Sequence, residues 1–575
     1  MNSNLSPEEI VRREALQKLR DRGIDPFPAE AFQTSAKAAE LIATYSEGRV
    51  VKAAGRINNI RDMGKACFAH LQDESGKIQV YVNIDSICPG EDKSFYKEVV
   101  KHLVHAGDFI GVTGKMFTTK MGEISIHAEE FKILAKSIRP LPTVKTDKDG
   151  VVHDAFSDPE LRYRMRYVDL AVNEHVKKIF ITRTRIFQSM RDFFNQRGYL
   201  EVETPVLQPI PGGAAARPFV THHNTLDVPM YLRIANELYL KRLITGGLDG
   251  VYEFSRNFRN EGMDRTHNPE FTAMEIYVAF KDYNWMMDFT EEMLRKVCSD
   301  ATGSLVVPYG DKQIDFSQPF RRVTMRDAIL EHTGFDIYNQ DEAALSQFAK
   351  STGIDVNDTM GKAKLIDEIF GAHCERHYIQ PTFITDYPIE MSPLCKRHRS
   401  NPALTERFEL MVNGKELANA YSELNDPIDQ LARFEEQVRL QERGDDEAMF
   451  IDMDFVRALE FGMPPAAGMG IGMDRLVMLL TNQSAIQEVL FFPQMRPEKF
   501  EHADSPSDFE AIGVSPEWAP HIIKAGYDSV EKLWAAKPTA VHQNLNGYRK
   551  KNKLEIPAVQ LDEVDRWFVA GKKSQ

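Results

Sequence analysis

The sequence predicts an α+β chain of several domains: a small N-terminal β-barrel, a larger domain built on an antiparallel sheet with flanking helices, and a small helical C-terminal appendage. Three observations predict it. From Val50 to about Ile138 short alternating segments (VVKAAGRINNI, KIQVYVNI, DFIGVTGKMF, EISIHA) are separated by turn signals such as Glu74-Ser75-Gly76 and Lys120-Met121-Gly122, the signature of a small barrel. After the break at Arg139-Pro140-Leu141-Pro142 and the polar run TDKDG, strand-like and helical stretches mix over a second, larger domain. After Pro497 the polar stretch EKFEHADSPSD leads into short helical units.

Taken in order, residues 1–45 form a helical leader whose spaced Ile10, Leu16 and Leu19 suit a solvent-exposed helix packing one stripe. The barrel takes residues 46–142 and the large domain 143–500. Residues 174–198 place Val176, Ile179, Ile186, Phe187, Met190 and Phe194 near helical spacing and stop at Gly198, so a core-facing helix closes there. The segments YLRI (231–234), GVYEFS (250–255), FTAMEIYVAF (271–280), RFELMV (407–412) and KELANAY (415–421) supply the sheet, with antiparallel hairpins fitting the short connections. About 320–380 reads as a helical insertion, and 505–575 as the C-terminal extension.

A chain of 575 residues is too long for one hydrophobic core. With 42% hydrophobic and 27% charged residues its composition is that of a soluble protein, without an apolar run near the ~20 residues of a membrane span. The charged N-terminus lacks a signal-peptide core, which predicts a cytoplasmic location. The five cysteines lack CxxC pairing, so reduced, buried thiols are expected and not a disulfide framework or zinc site. A net charge of -14 argues against nucleic-acid binding driven by overall charge, but leaves room for a local basic tract.

Four segments carry chemistry. On FTAMEIYVAF the two-residue period sends Phe271, Glu275 and Tyr277 to one face and Thr272, Met274, Ile276 and Val278 to the core. A ring, a carboxylate and a phenol in a row suit a flat base and a cationic ligand, and equally the polar outer face of a half-exposed strand. RNFRNEG sets Arg259 and Glu261 two apart, ahead of His267, a pattern that either holds phosphate and an exocyclic amine or forms surface ion pairs. In RFELMVNGKELANAYSEL, the Asn413-Gly414 hairpin turn pairs Met411 with Glu416 and Glu409 with Ala418, leaving Glu409 and Glu416 as diagonal neighbours able to share Mg²⁺. PPAAGMGIGMDRLVMLLT reads as a glycine-rich approach to a helix carrying Arg475 in its first turn: a phosphate site or a packing device.

Together GYLEVETP (198–205), FRNEG (258–262) and GMGIGMDRL (468–476) resemble motifs 1, 2 and 3 of class II aminoacyl-tRNA synthetases, in the same order. AGRINNIRDMGKACF, PGGAAARPF (211–219) and NGKELANAYSELND narrow the resemblance to the bacterial-type lysyl-tRNA synthetases, over about residues 1–500. The resemblance implies an OB-fold barrel that reads the anticodon, a class II synthetase sheet, ATP, lysine and tRNA as substrates, Mg²⁺, and a homodimer built on motif 1.

Residue by residue, it gives the α-phosphate and the lysine carboxylate to Arg259, the γ-phosphate to Arg475, the phosphates to His267, the adenine amine to Glu261 and the adenine face to Phe271. Mg²⁺ falls to Glu409 and Glu416, and the lysine pocket to Gly213, Glu237, Glu275, Tyr277, Asn419 and Glu423. Anticodon contacts fall to Arg61, Phe68, Gln79 and Glu123, although Phe68 taken alone reads as a barrel-core ring. If KELANAYSEL alternated strictly, Glu416 would point away from Asn419, Tyr421 and Glu423, so one residue must be absorbed, which predicts a β-bulge near Ala418.

An aspartyl or asparaginyl enzyme would share the barrel and the motifs, but its acidic substrate needs cationic partners where this pocket offers Glu237, Glu275 and Glu423. A non-catalytic single-strand RNA-binding protein could use the barrel alone, with no reason to keep the second domain's arginines and carboxylates. In the extension, Ile522, Ile523, Val530, Leu533 and Trp534, then Val541, Leu545 and Leu554, recur at helical spacing. They distantly resemble helix-hairpin-helix modules, with the tract Arg549-Lys550-Lys551-Asn552-Lys553 available for phosphates, but a structural role ranks ahead of tRNA contact.

Overall fold

The computed structural model describes residues 5–142, 145–146, 152–153, 156–214, 216–357, 360–442, 450–496, 505–527 and 529–572. Most of the TDKDG run and the first residues of the stretch after Pro497 lie outside them. The chain forms two compact units, Met1–Gln494 and Met495–Gln575.

The leader helix, Pro7–Asp21, starts from a Ser6 cap closed reciprocally by Glu9. Its buried stripe differs from the expected one: Arg12, Ala15 and Leu19 face inward while Ile10 is exposed. Arg12 is why. Its guanidinium donates to the carbonyls of Ala106 (2.9 Å) and Ser137 (3.3 Å) at the barrel's end, so a cation with satisfied donors takes a place that hydrophobicity alone would not assign.

Five strands, Val50–Asp62, Ala66–Gln72, Lys77–Asn83, Phe109–Thr118 and Ile124–Ala135, close into a barrel in which the first strand pairs with the fourth. The inward residues, among them Val51, Ile57, Leu71, Val80, Ile110 and Ile126, share one core with Ala15 and Leu19 of the leader.

The larger sheet has eight strands, in the order Arg321–Thr324, Thr382–Thr385, Arg407–Val412, Lys415–Ser422, Ala466–Gly472, Glu270–Ala279, Gly250–Phe258 and Leu200–Glu201. Pairing is antiparallel through the middle and parallel at both ends. The parallel pair of Arg321–Thr324 with Thr382–Thr385 explains the helical insertion: a parallel return needs a long crossover, and Met325–Thr333, Glu342–Ser351 and Lys362–His373 supply it.

Two segments depart from the sequence reading. YLRI does not join the large sheet: Tyr231 and Leu232 end a strand of a separate three-stranded sheet with Leu207–Gln208 and Val220–His223. The glycine-rich approach to a helix, not among the segments expected in the sheet, is its central strand Ala466–Gly472, followed directly by the helix Met473–Leu480. Gly468 has to be glycine because a Cβ there would collide with Glu423 and Tyr277.

One face of this sheet (Met274, Ile276, Leu410, Ala420, Met469, Ile471) is sealed by the helices Glu174–Asn195 and Tyr283–Thr302 through Ile186, Met190, Phe194, Met286 and Met293. The opposite face is covered in part by the helix Glu237–Thr245, whose Leu240 and Ile244 cluster with Val251, Tyr277 and Ala279, and borders a cavity elsewhere. All five cysteines are free and buried.

The second unit packs short helices around Phe509, Trp518, Ile522, Leu533, Leu545 and Trp567. Ile523 and Trp534 are only partly buried. Arg549 donates to the Ile556 carbonyl (3.1 Å), whereas Lys550, Lys551 and Lys553 are exposed.

Candidate active site

The sheet face opposite the sealed one forms the floor of a cavity of about 1150 Å³. Gly213, Glu237, Arg259, Glu261, His267, Phe271, Glu275, Tyr277, Glu409, Glu416, Asn419 and Arg475 all line it. Glu423 does not. It is fully buried behind the wall at Gly468, in an ion pair with Lys241.

At one end, Arg259 lies against Phe271, its guanidinium carbon 5.1 Å from the ring centroid. The strand pairing sets this up by placing Asn257 opposite Phe271 just before Arg259 leaves the sheet. The buried Nε of Arg259 has no protein acceptor among the described residues, so an anion placed there would satisfy it. Arg475 reaches in from the helix Met473–Leu480, donating to the Glu416 carbonyl (2.8 Å), with its other nitrogen 3.4 Å from His267 Nε2. Asp264 fixes the far side of that imidazole, at 2.8 Å from Nδ1.

Between the two ends lie Glu409 and Glu416. From Leu410–Ala418 to Met411–Glu416 the register slips by one, and Leu417 is the extra residue. This is a β-bulge next to the expected position. It corrects the simple hairpin count, since Glu409 pairs with Asn419 and not with Ala418. The bulge turns Glu416 and Asn419 to the same cavity. Arg407, missed in the sequence, orients both neighbours: it donates to Glu409 (2.7 Å) and to Asn419 Oδ1 (3.1 Å). Burial, then repulsion from Glu416, pushes Glu409 up to about 7, against the pull of Arg407. A divalent cation between these carboxylates would remove that repulsion. Among the described residues no third acidic, histidine or cysteine ligand joins them. The pair therefore fits Mg²⁺, which keeps waters and phosphate oxygens in its shell, better than a metal caged by protein alone.

At the other end, Glu275 is buried with no basic partner among the described residues, accepting from the Tyr277 hydroxyl (3.0 Å) and the Asn236 backbone N–H. Burial, then the Glu237 charge, pushes it up to about 8. Glu253, directly across the strand pair, is neutralised by Arg233 (2.6 Å). Glu237 has both oxygens engaged: Lys241 Nζ donates at 2.5 Å and the Tyr421 hydroxyl at 2.6 Å. The sequence reading overlooked Lys241. Its signal was the spacing of four from Glu237, indistinguishable in sequence from an exposed helical ion pair.

On the barrel, Arg61 and Phe68 face each other across the first two strands. Gln79 donates to Glu123 (2.6 Å) and accepts from the Ser125 hydroxyl (2.8 Å), while His70 bridges Asn59 and Glu123. Phe68 is not a barrel-core ring: it is half-buried, with its centroid 5.0 Å from that of Tyr81 and with His127 beyond. This aromatic surface is flanked by hydrogen-bonding side chains, as single-stranded bases require.

A barrel bearing such a surface, joined to a sheet that carries an arginine, a ring and paired carboxylates, defines a class. Residues 158–496 match the family described as tRNA synthetases class II (D, K and N), and residues 51–134 match the OB-fold nucleic acid binding domain. The chain belongs to the class II tRNA synthetase family. It is similar to the lysine–tRNA ligase of Porphyromonas gingivalis, 63% identical over 568 residues, 98% of each chain. The lysine–tRNA ligase of Christiangramia forsetii is 63% identical over 495 residues, covering 86% of this chain and 87% of the relative. That of Azobacteroides pseudotrichonymphae is 60% identical over 501 residues, covering 87% of this chain and all of the relative.

Proposed function

We propose that the chain is a lysine–tRNA ligase, acting from ATP and lysine through lysyl-adenylate. One observation carries the choice of amino acid: the cavity ends in a buried Glu275 that has no basic partner among the described residues and stands beside Glu237, an environment that a substrate ammonium would complete and an acidic side chain would not. An uncharged analogue would leave these carboxylates unmatched, at a cost on the order of 10⁴-fold in discrimination.

In this reading Phe271 stacks on adenine, Glu261 accepts from its amine, and Arg259 holds both the α-phosphate and the lysine carboxylate. His267 and Arg475 meet the outer phosphates; Glu409 and Glu416 would hold Mg²⁺, which would supply positive charge against the phosphates. A lysine carboxylate oxygen attacks the α-phosphorus, that bond forms as the bond to the bridging oxygen breaks, and pyrophosphate departs. A hydroxyl of the tRNA terminal ribose then attacks the lysyl carbonyl, and AMP leaves. Catalysis by positioning and charge neutralisation suffices, because carboxylate and phosphate meet without a covalent enzyme intermediate. Gly213, Tyr277 and Asn419 complete the lysine pocket, with Glu423 behind it.

Arg61, Phe68, Gln79 and Glu123 contact the anticodon. The protein works as a homodimer in the cytoplasm. Exposed Leu200, Val206 and Leu207, at and just beyond GYLEVETP, support a partner surface there, and no helix among the described residues is long and apolar enough to cross a membrane. ATP–pyrophosphate exchange run with each amino acid tests the reading: exchange dependent on lysine supports it, and dependence on aspartate or asparagine instead would refute it.

A further inference from the structure

Lys241 is the most enclosed cation near the site. Its side chain is wholly buried; Nζ donates to Glu237 (2.5 Å) and to the Leu394 carbonyl (3.4 Å) and forms an ion pair with Glu423. The ammonium also lies 5.3 Å from the Tyr421 ring centroid and 5.9 Å from that of Phe455. Neither Lys241 nor Glu423 borders the cavity, but Glu237 does, and so does Tyr421, whose hydroxyl holds the other Glu237 oxygen.

We infer that Lys241 is a positioning residue for amino-acid selection: from behind the cavity wall it aims the Glu237 carboxylate at the place a substrate ammonium would occupy. Lys241 holds one Glu237 oxygen from behind the wall and the Tyr421 hydroxyl holds the other, which fixes the carboxylate beside Glu275 at the end of the cavity. Without Lys241, Glu237 and Glu423 would be neighbouring carboxylates in a water-poor wall. Burial already drives Glu423 upward and Lys241 opposes it, so loss of the cation would leave one carboxyl protonated and Glu237 held by Tyr421 alone.

This inference rests on the lysine reading, and wild-type exchange with each amino acid tests that reading separately. The inference itself is tested with the full chain carrying Lys241→Met, which keeps length and removes charge. The expected result is a KM for lysine raised ~tenfold or more with the KM for ATP unchanged. A lysine KM that is unchanged or lowered, or lysine and ATP constants that rise together, would overturn it. Should Lys241→Met fail to fold, Lys241→Ala is assayed with added ethylammonium or with ethanol. Recovery of the lysine KM by the amine alone supports the role, and equal effects of the two additives, or none, refute it.

Discussion

Glu409 stands opposite Asn419 in the sheet, one residue further on than the Asn413-Gly414 hairpin would place it, because Leu417 has no partner of its own on the facing strand. That single extra residue lets Glu416, before the bulge, and Asn419, after it, serve one cavity. On a regular strand they would point to opposite faces.

Glu416→Gln removes one of the two carboxylates proposed to hold Mg²⁺. The Mg²⁺ concentration for half-maximal ATP–pyrophosphate exchange should rise ~tenfold or more, with the lysine KM unchanged. A titration indistinguishable from wild type would take Glu416 out of the metal site.

Glu275→Gln keeps shape and removes charge, so lysine use should weaken by ~1.5–3 kcal/mol while ATP use changes little. Equal losses for both substrates would mean that Glu275 supports the sheet instead.

The same residue makes a pH prediction. Burial, then Glu237, raises Glu275 to about 8, with Glu253 adding to the shift and Tyr277 and the Asn236 N–H opposing it. Lysine needs the ionised form, so kcat/KM for lysine should climb with pH up to about 8, at a slope approaching ~tenfold per pH unit. The sign for stability is opposite: the folded free protein holds this proton more tightly than the unfolded chain, so its stability falls as pH rises from about 4.5 toward about 8. Both dependences, read by kinetics and by thermal melting, should flatten in Glu275→Gln.

Phe68→Ala should weaken tRNA binding by ~1–3 kcal/mol, the worth of one stacked base, and leave exchange without tRNA intact. Unchanged tRNA affinity by filter binding would remove the ring from the anticodon surface.

Deleting residues 505–575 should spare adenylate formation, since Met495–Gln575 is a compact unit with its own core and one relative is matched over its whole length by 501 residues of this chain. The tRNA binding constant and its salt slope then decide between the two roles of the extension. If Lys550, Lys551 and Lys553 meet phosphates, both fall; if the unit is structural, both stay.

The sequence by itself determined the barrel, the helical insertion and the strands Glu270–Ala279, Arg407–Val412 and Lys415–Ser422, because alternation and turn residues are local properties. Resemblance then supplied twelve of the residues that line the cavity. Even the bulge was legible, as a conflict between strand parity and the roles required of Glu416 and Asn419. Tertiary structure alone decided the rest. A glycine-rich stretch that reads only as the approach to a helix is a central strand, and Gly468 is required there by Glu423 and Tyr277, residues distant in sequence. Arg12 is buried because carbonyls of Ala106 and Ser137, far along the chain, receive it. Lys241, four residues from Glu237, is written like any solvated helical pair. Only its burial against Glu423, Leu394 and Tyr421 makes its charge matter, since a desolvated ion depends on partners that local sequence does not record.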